Sequence, residues 1–328
     1  MSQNTVLEIK DLEVELYSEK GPLPVIDKVN LSIKEGEIVG VVGESGCGKS
    51  MLASAIMNLL NSPAQIAAGT IFYEGQDMTT LSTKEFQKIR GNEISMIFQE
   101  PMTSLNPLMK VGKQIEEAIK AHEKVTTAEL KERAIAAIRD VGIPQPEKVY
   151  HDIPSRLSGG MRQRIMIAMA LVCHPKLLIC DEPTTALDVT IQAQILRLIK
   201  KLRDETNTAV IFISHDMGVI YQMVDRVVVM YAGQFVESAP CKKLFEKPLH
   251  PYTIGLQNAI PQINKLQSSL QDIPGSVPML DNLPEGCLFA PRCPFAKAEC
   301  FTKKVPLKHY DDHDVRCLLV DEGGWHNE

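Results

Sequence analysis

The residues Gly43-Glu44-Ser45-Gly46-Cys47-Gly48-Lys49-Ser50 follow the apolar run Ile38-Val39-Gly40-Val41-Val42 and lead into a helical stretch reaching about Leu60. The pattern GxxxxGK[ST], set between a buried strand and a helix, leaves a chain few folds to choose from. Small residues let backbone N–H groups close around phosphate oxygens. The helix that follows adds the positive end of its dipole. On this pattern Lys49 bridges the β- and γ-phosphates and Ser50 gives an oxygen to Mg²⁺. A loop of this kind needs a largely parallel sheet around it, and the chain supplies one. Strand-like runs at 70–73, 94–98, 177–180 and 209–213 alternate with helical patterns, which implies an α/β sheet. Residues 6–42 read as short strands broken at Gly21-Pro22, and 111–141 as purely helical, with Thr126 to Glu129 resembling a helix start. The whole of 111–157 reads as a helical insertion. One helix from Ser158 carries Ile165, Ala168, Met169 and Val172 on one stripe, and another carries Ile191, Ile195, Leu198, Ile199 and Leu202.

Composition narrows the function. The chain has 328 residues, is 44% hydrophobic and carries a net charge of -6. An acidic balance argues against nucleic acid as a partner, since phosphate backbones call for a basic surface. No run approaches the roughly 18–20 continuous apolar residues of a membrane span, and the alternating, acidic start is unlike a signal peptide. The expectation is a cytosolic protein that meets a membrane process by docking on other subunits.

Two further motifs suggest nucleotide chemistry. Leu177-Leu178-Ile179-Cys180 carries Asp181-Glu182 to a strand end, the edge at which such sheets bind ligands. Asp181 is suited to hold Mg²⁺ through water, and Glu182 to polarise the attacking water as general base. Leu157-Ser158-Gly159-Gly160-Met161 opens a helix and offers bare N–H groups to an anion. One chain already has a phosphate loop, so a second phosphate-binding helix start suggests use in trans, although an ordinary helix cap has the same sequence.

The phosphate loop, Gln99, Leu157-Ser158-Gly159-Gly160, Asp181-Glu182, Asp188 and His215 stand in the order that resembles the ABC ATPases, over roughly residues 5–245. The family usually has Gln where Met161 stands. The resemblance implies a P-loop ABC ATPase fold with a RecA-like parallel-sheet core, an antiparallel β subdomain and a helical subdomain at about 100–173. It implies that ATP is held by Tyr17, Gly43, Glu44, Ser45, Gly46, Cys47, Gly48, Lys49, Ser50, Met51, Gln99, Asp181, Glu182 and His215. Tyr17 would stack on adenine, Gln99 would touch Mg²⁺, and His215 the γ-phosphate. Lys49, Gln99, Glu182 and His215 would carry the catalysis. Ser158, Gly159, Gly160 and Asp188 would act across a dimer on the partner's nucleotide. Phe98 to Pro107, His250-Pro251-Tyr252-Thr253 and the cysteine-bearing tail are similar to the ATPases of dipeptide and oligopeptide importers, which extends the match over nearly the whole chain. That implies an ATPase domain at 1–246 and an importer extension at 247–328. It implies two membrane permease subunits, a second and paralogous ATPase, and indirectly an extracytoplasmic binding protein, all at the cytoplasmic face of the membrane. Relatives import nickel or glutathione, and soluble ABC ATPases serve DNA maintenance. The latter usually carry long insertions, whereas here the phosphate loop and Ser158 are only about 110 residues apart.

Of eight cysteines, Cys173 and Cys180 sit in apolar runs as core residues, while Cys287, Cys293, Cys300 and Cys317 crowd one short stretch. Four thiolates ligate a [4Fe–4S] cluster. Structural zinc favours close C-x2-4-C pairs, which this tail lacks, and unliganded or disulfide-bonded cysteines remain a third reading. Some peptide-importer ATPases that this tail resembles carry a [4Fe–4S] cluster. Pro291, Pro294 and Pro306 limit regular structure, and Leu288, Phe289, Phe295 and Val305 read as too little core to hold the segment without a cross-link.

Overall fold

The protein is described here by a computed structural model covering residues 4–19, 21–99, 104–185, 187–259 and 273–320. Residues 100–103 of the importer-like segment and Ala186 lie outside the described residues. The chain forms two compact units. One comprises Met1–Val6, Ile33–Glu37 and Gln76–Ile211; the other comprises Leu7–Ser32, Ile38–Gly75 and Phe212–Glu328.

The second unit holds the phosphate loop. Its strand Ile38–Val42 is buried at every residue and runs parallel to Arg226–Tyr231, with Val41 opposite Val228. Both are unbroken apolar runs, as strands covered on both faces must be. Ala232 and Gly233, at φ 45° and 82°, turn the chain back into Gln234–Pro240. Two positive φ values make the hairpin turn whose twist matches right-handed strands. A Cβ on Gly233 would lie 2.4 Å from the Val25 carbonyl oxygen, so only glycine fits. The strands expected as short over residues 6–34 are longer and belong to a separate, four-stranded sheet. Thr5–Ser18 and Gly21–Lys34 each span 14 residues, and the first pairs with Ala64–Tyr73. The register shift between Lys10 and Glu13, with Asp11 at φ 44°, marks a bulge that breaks the simple alternation.

The C-terminal extension belongs to this unit and extends its sheet. His313–Val315 pairs antiparallel with Gln234–Pro240, setting Val315 opposite Glu237, and Lys308–Tyr310 pairs in turn with His313–Val315. Glu237 is wholly buried yet satisfied. It accepts the N–H groups of Leu249 and His250 at 2.6 and 2.9 Å and lies 2.7 Å from His313 Nε2. His250 Nδ1 accepts the Tyr252 N–H at 3.1 Å, capping the helix Pro251–Asn258. Burial pushes the His250 pKa down to about 4, which keeps the ring neutral and able to accept. The expectation that this tail has little to bury is corrected. Phe289 and Val305 are buried, and the Phe289 ring lies 5.2 and 5.3 Å from the rings of Tyr231 and Tyr252. Leu288 is half-buried and Phe295 is exposed. Aromatic packing at these separations adds about 0.5–1.5 kcal/mol per pair beyond area burial.

In the first unit Ile94–Ile97 runs parallel to Leu177–Asp181, with Ile97 opposite Cys180. The stretch 111–141 is helical, with a helix start at Thr126 as expected. Val111–Lys120 ends, and Thr127–Asp140 starts afresh where Thr126 Oγ1 accepts the Glu129 N–H at 3.3 Å. A threonine cap satisfies an orphan N–H better than a continued helix would use its side chain. Glu116, buried on the first of these helices, accepts from the Tyr150 hydroxyl and from Lys113 at 2.7 Å. The helix Gly159–Leu171 buries Ile165 and Ala168 as the stripe required. It also buries Met166, Ile167 and Gln163, so it is covered on more than one face. Cys180 is fully buried and burial pushes its thiol upward, in keeping with a core residue. No helix among the described residues is long and apolar enough to cross a membrane.

Candidate functional site

The phosphate loop is shaped by three glycines. Gly46 and Gly48 hold φ of 81° and 108°, in the region that favours glycine. A Cβ on Gly43 would fall 2.2 Å from the Met230 carbonyl oxygen and 2.7 Å from Cys47 Sγ, so the loop lies directly against the strand Arg226–Tyr231. Nothing lies within 4 Å of a Cβ on Gly46, where the backbone faces open space. Lys49 opens the helix Lys49–Ile56 and is buried. Its Nζ donates to the carbonyls of Gly43 and Glu44 at 2.8 and 2.9 Å, closing the loop on itself. Cys47 is buried beneath, and burial pushes its thiol up against the lowering pull of Lys49. Ser45 and Ser50 are exposed and Met51 is half-buried.

Glu44 is held from outside the loop. Its N–H donates to Tyr252 Oη at 2.8 Å, and its carboxylate receives two bonds from Arg292 at 2.6 and 2.9 Å. Tyr252 and Arg292 were not marked as site residues by sequence. Tyr252 lies within the importer-like His250 to Thr253 segment, which gave a signal; Arg292 gave none. In the same unit, Tyr17 is 47% exposed near the end of its strand. His215 follows the strand Ala209–Ser214 and is exposed. Ser214 Oγ beside it accepts the Asp216 N–H, and Asp216 caps the helix Met217–Met223.

The other unit gathers a second group. Asp181 ends its strand and is 5% exposed. Glu182 follows in the left-handed region at φ 47°, a conformation that costs a side-chain-bearing residue about 1–3 kcal/mol and that clusters at functional turns. Its Oε2 accepts from Gln99 Nε2 at 3.0 Å and from Thr185 Oγ1 at 2.9 Å. Gln163, buried on the helix Gly159–Leu171, donates to the Pro183 carbonyl at 2.7 Å and so ties that helix to the turn after Glu182. Thr185 and Gln163 also escaped the sequence reading. Ser158 Oγ accepts the Met161 N–H at 3.3 Å, and Asp188 Oδ1 accepts the Ile191 N–H at 2.9 Å, so each caps its own helix. A Cβ on Gly160 would press to 3.2 Å on Ile191, whereas one on Gly159 meets nothing within 4 Å.

The tail cysteines are free thiols, with Cys300 and Cys317 buried and Cys287 and Cys293 partly so. Cys287 N–H donates to the Cys300 carbonyl at 2.7 Å. Burial raises the Cys287 thiol and pushes those of Cys293 and Cys317 up to about 11. Charge on Cys300 adds to the rise at Cys287, charge on Cys287 and Cys300 to that at Cys293, and charge on Cys287 and Cys293 to that at Cys317. Even so, among the described residues no three His, Cys, Asp or Glu side chains close on a common metal-holding point.

A glycine-shaped phosphate loop after a buried parallel strand, with an acidic pair at another strand end, defines a P-loop nucleotide hydrolase. The family described as ABC transporter matches residues 26–185, and that described as Oligopeptide/dipeptide transporter, C-terminal region, matches 236–300. The chain is 50% identical to the oligopeptide transport ATP-binding protein AppD of Bacillus subtilis, over 98% of each chain. It is 44% identical to the dipeptide transport ATP-binding protein DppD of Haemophilus influenzae, over 95% of this chain and 94% of that one. A dimeric ATP-binding cassette, solved in a post-hydrolysis state bound to ADP and Pi, superposes with a TM-score of 0.65 at 27% identity. That match covers 72% of this chain and 98% of the other. The chain therefore belongs to the family of oligopeptide and dipeptide transport ATP-binding proteins, the ATP-hydrolysing subunits of ABC transporters.

Proposed function

We propose that this protein is the motor of an importer of short peptides, working at the cytoplasmic face of the membrane on two permease subunits and beside a second, paralogous ATPase. The observation that carries the reading is the end-to-end likeness to oligopeptide and dipeptide transport ATP-binding proteins, tail included. Nickel or glutathione stays as an alternative cargo, since an extracytoplasmic binding protein and the permeases select it. A DNA-maintenance ATPase is disfavoured by the compact spacing between Ser50 and Ser158. The tail from 247 onward is read as the importer-specific extension of an ATPase domain at 1–246. Purification of the native complex is expected to recover two membrane subunits and a second ATPase, with ATP turnover raised by a peptide-loaded binding protein. Recovery with DNA and without permeases would overturn the proposal.

In this reading the N–H groups of Gly46 to Ser50 and the Lys49 ammonium hold the phosphates, and Tyr17 stacks on the adenine. Ser50 hydroxyl, Gln99 amide oxygen and the Asp181 carboxylate, through water, make the oxygen donor set that suits Mg²⁺. The ion, when bound, neutralises charge on the β- and γ-phosphates. Glu182 orients and deprotonates the attacking water. Gln99 and Thr185 fix its carboxylate, and His215 steadies the γ-phosphate. Ser158, Gly159, Gly160 and Asp188 face the nucleotide of the partner ATPase. The chain's own packing places nothing against a Cβ at Gly159, which leaves room for that approach.

The tail is read as holding a [4Fe–4S] cluster on Cys287, Cys293, Cys300 and Cys317. What supports the reading is donor number and type, four free thiols in one stretch of the tail; among the described residues they do not close on a common point, so binding would have to draw them together. The cluster, when bound, would supply a four-point cross-link. Anaerobically purified protein is expected to be brown, with about four irons and four sulfides per chain. One zinc without iron replaces the cluster by a zinc site, and no metal leaves the cysteines as thiols.

A further inference from the structure

Glu44, the second residue of the phosphate loop, is gripped at both backbone and side chain by residues more than 200 positions downstream. Tyr252 Oη takes its N–H, and Arg292 takes its carboxylate in a two-pronged bond, Nη1 to Oε2 at 2.6 Å and Nη2 to Oε1 at 2.9 Å. Arg292 is 7% exposed, and the rest of its guanidinium is spoken for. Nε donates to the Pro274 carbonyl at 2.9 Å, Nη2 also reaches the carbonyls of Ile273 and Gly275 at 3.3 and 3.4 Å, and the group lies over Tyr231 and Phe289. The bond to Glu44 raises the pKa of Arg292, so the cation is fixed in place. Arg292 itself ends the turn Ala290–Arg292. That turn begins where the Cys287 carbonyl accepts the Ala290 N–H at 3.0 Å and ends where Cys293 N–H donates to the Ala290 carbonyl at 3.2 Å.

We propose that Arg292, assisted by Tyr252, is a positioning residue for the nucleotide site, and that the cysteine-bearing tail sets ATP affinity through it. Two physical effects converge. A phosphate-binding loop binds well only if its N–H groups are aimed before the ligand arrives, because ordering them afterwards subtracts from affinity. Glu44 also puts a negative charge within the loop that must take a polyanion, and the paired guanidinium cancels it. A planar fork is needed for both, so lysine is not an equivalent replacement. The inference rests on ATP binding at this loop.

The test uses the full chain and Mg-ATP. Arg292→Met leaves the carboxylate uncompensated and is expected to raise the ATP Kd roughly tenfold, the size of one charged hydrogen bond. Glu44→Gln removes the charge but also one prong, and is expected to raise it about threefold. The double variant should be no weaker than Arg292→Met alone, because both act on one pair. In the assembled transporter KM for ATP should rise while kcat stays within about twofold, a split that general loosening of the fold does not give. Glu44→Gln leaves Arg292 on its carbonyl partners, so it decides the matter even where Arg292→Met fails to fold. Wild-type Kd in folded Glu44→Gln and Arg292→Met, with binding lost in Lys49→Ala, overturns the clamp and spares the nucleotide site. Absence of ATP binding in the unaltered protein overturns the site and the clamp with it.

Discussion

Lys49→Ala is expected to weaken ATP binding by about 10²–10⁴-fold while the chain still folds. Lys49 Nζ bridges the carbonyls of Gly43 and Glu44 in a buried position at the head of the helix Lys49–Ile56. In the proposed site the same ammonium turns to the β- and γ-phosphates, so the substitution removes charged bonds worth about 1.5–3 kcal/mol each. Two such bonds amount to roughly 3–6 kcal/mol, which is the stated range in affinity. The glycine conformations at Gly46 and Gly48 and the contact of Gly43 with Met230 do not depend on the lysine, so the loop backbone should persist. Titration with Mg-ATP, alongside a thermal melt to establish folding, is the measurement. A folded variant with unaltered affinity removes Gly43 to Ser50 from the nucleotide site.

The parts of this molecule that were legible in sequence are those fixed by local chemistry. Gly46 and Gly48 had to be glycine because of their own φ, and Ile38–Val42 had to be apolar because both faces are covered, so spacing alone revealed them. Ser158 announced a helix start because a cap needs only its own hydroxyl and an N–H three residues on. What escaped was set by partners far along the chain. Arg292 matters through Glu44, 248 positions away, and nothing in its neighbourhood marks it among other surface-type arginines. Gln163 lies outside the apolar stripe read for its helix, yet it is buried and donates to the Pro183 carbonyl. Phe289 reads as one apolar residue in a proline-rich tail, and only the rings of Tyr231 and Tyr252 turn it into core. The length of Thr5–Ser18 was masked by the bulge near Asp11, since an inserted residue resets the alternation from which strands are recognised.

Glu182→Gln is expected to bind ATP within a few-fold of the unaltered protein and to hydrolyse it about 10²–10⁴ times more slowly, the usual worth of a general base. In the proposed mechanism the two roles separate because the two carboxylate oxygens would have different duties. Oε2 accepts from Gln99 Nε2 and Thr185 Oγ1, and an amide oxygen can take over both bonds. The side chain therefore keeps its place at the end of Leu177–Asp181, and the left-handed backbone at φ 47° is no more strained by glutamine than by glutamate. The position of Oε1 becomes an NH₂ group, which cannot accept the proton of an attacking water. Chemistry is lost with little change in shape. ATP-bound, closed assemblies should accumulate in the reconstituted transporter, because reopening depends on hydrolysis. Two measurements decide it, single-turnover hydrolysis and the amount of nucleotide retained after gel filtration. Retained ATP with slow cleavage is the expected pair. Cleavage at the unaltered rate removes Glu182 from the chemistry. Failure to retain ATP makes it a residue that shapes the turn between Asp181 and Thr185, with the base to be sought elsewhere.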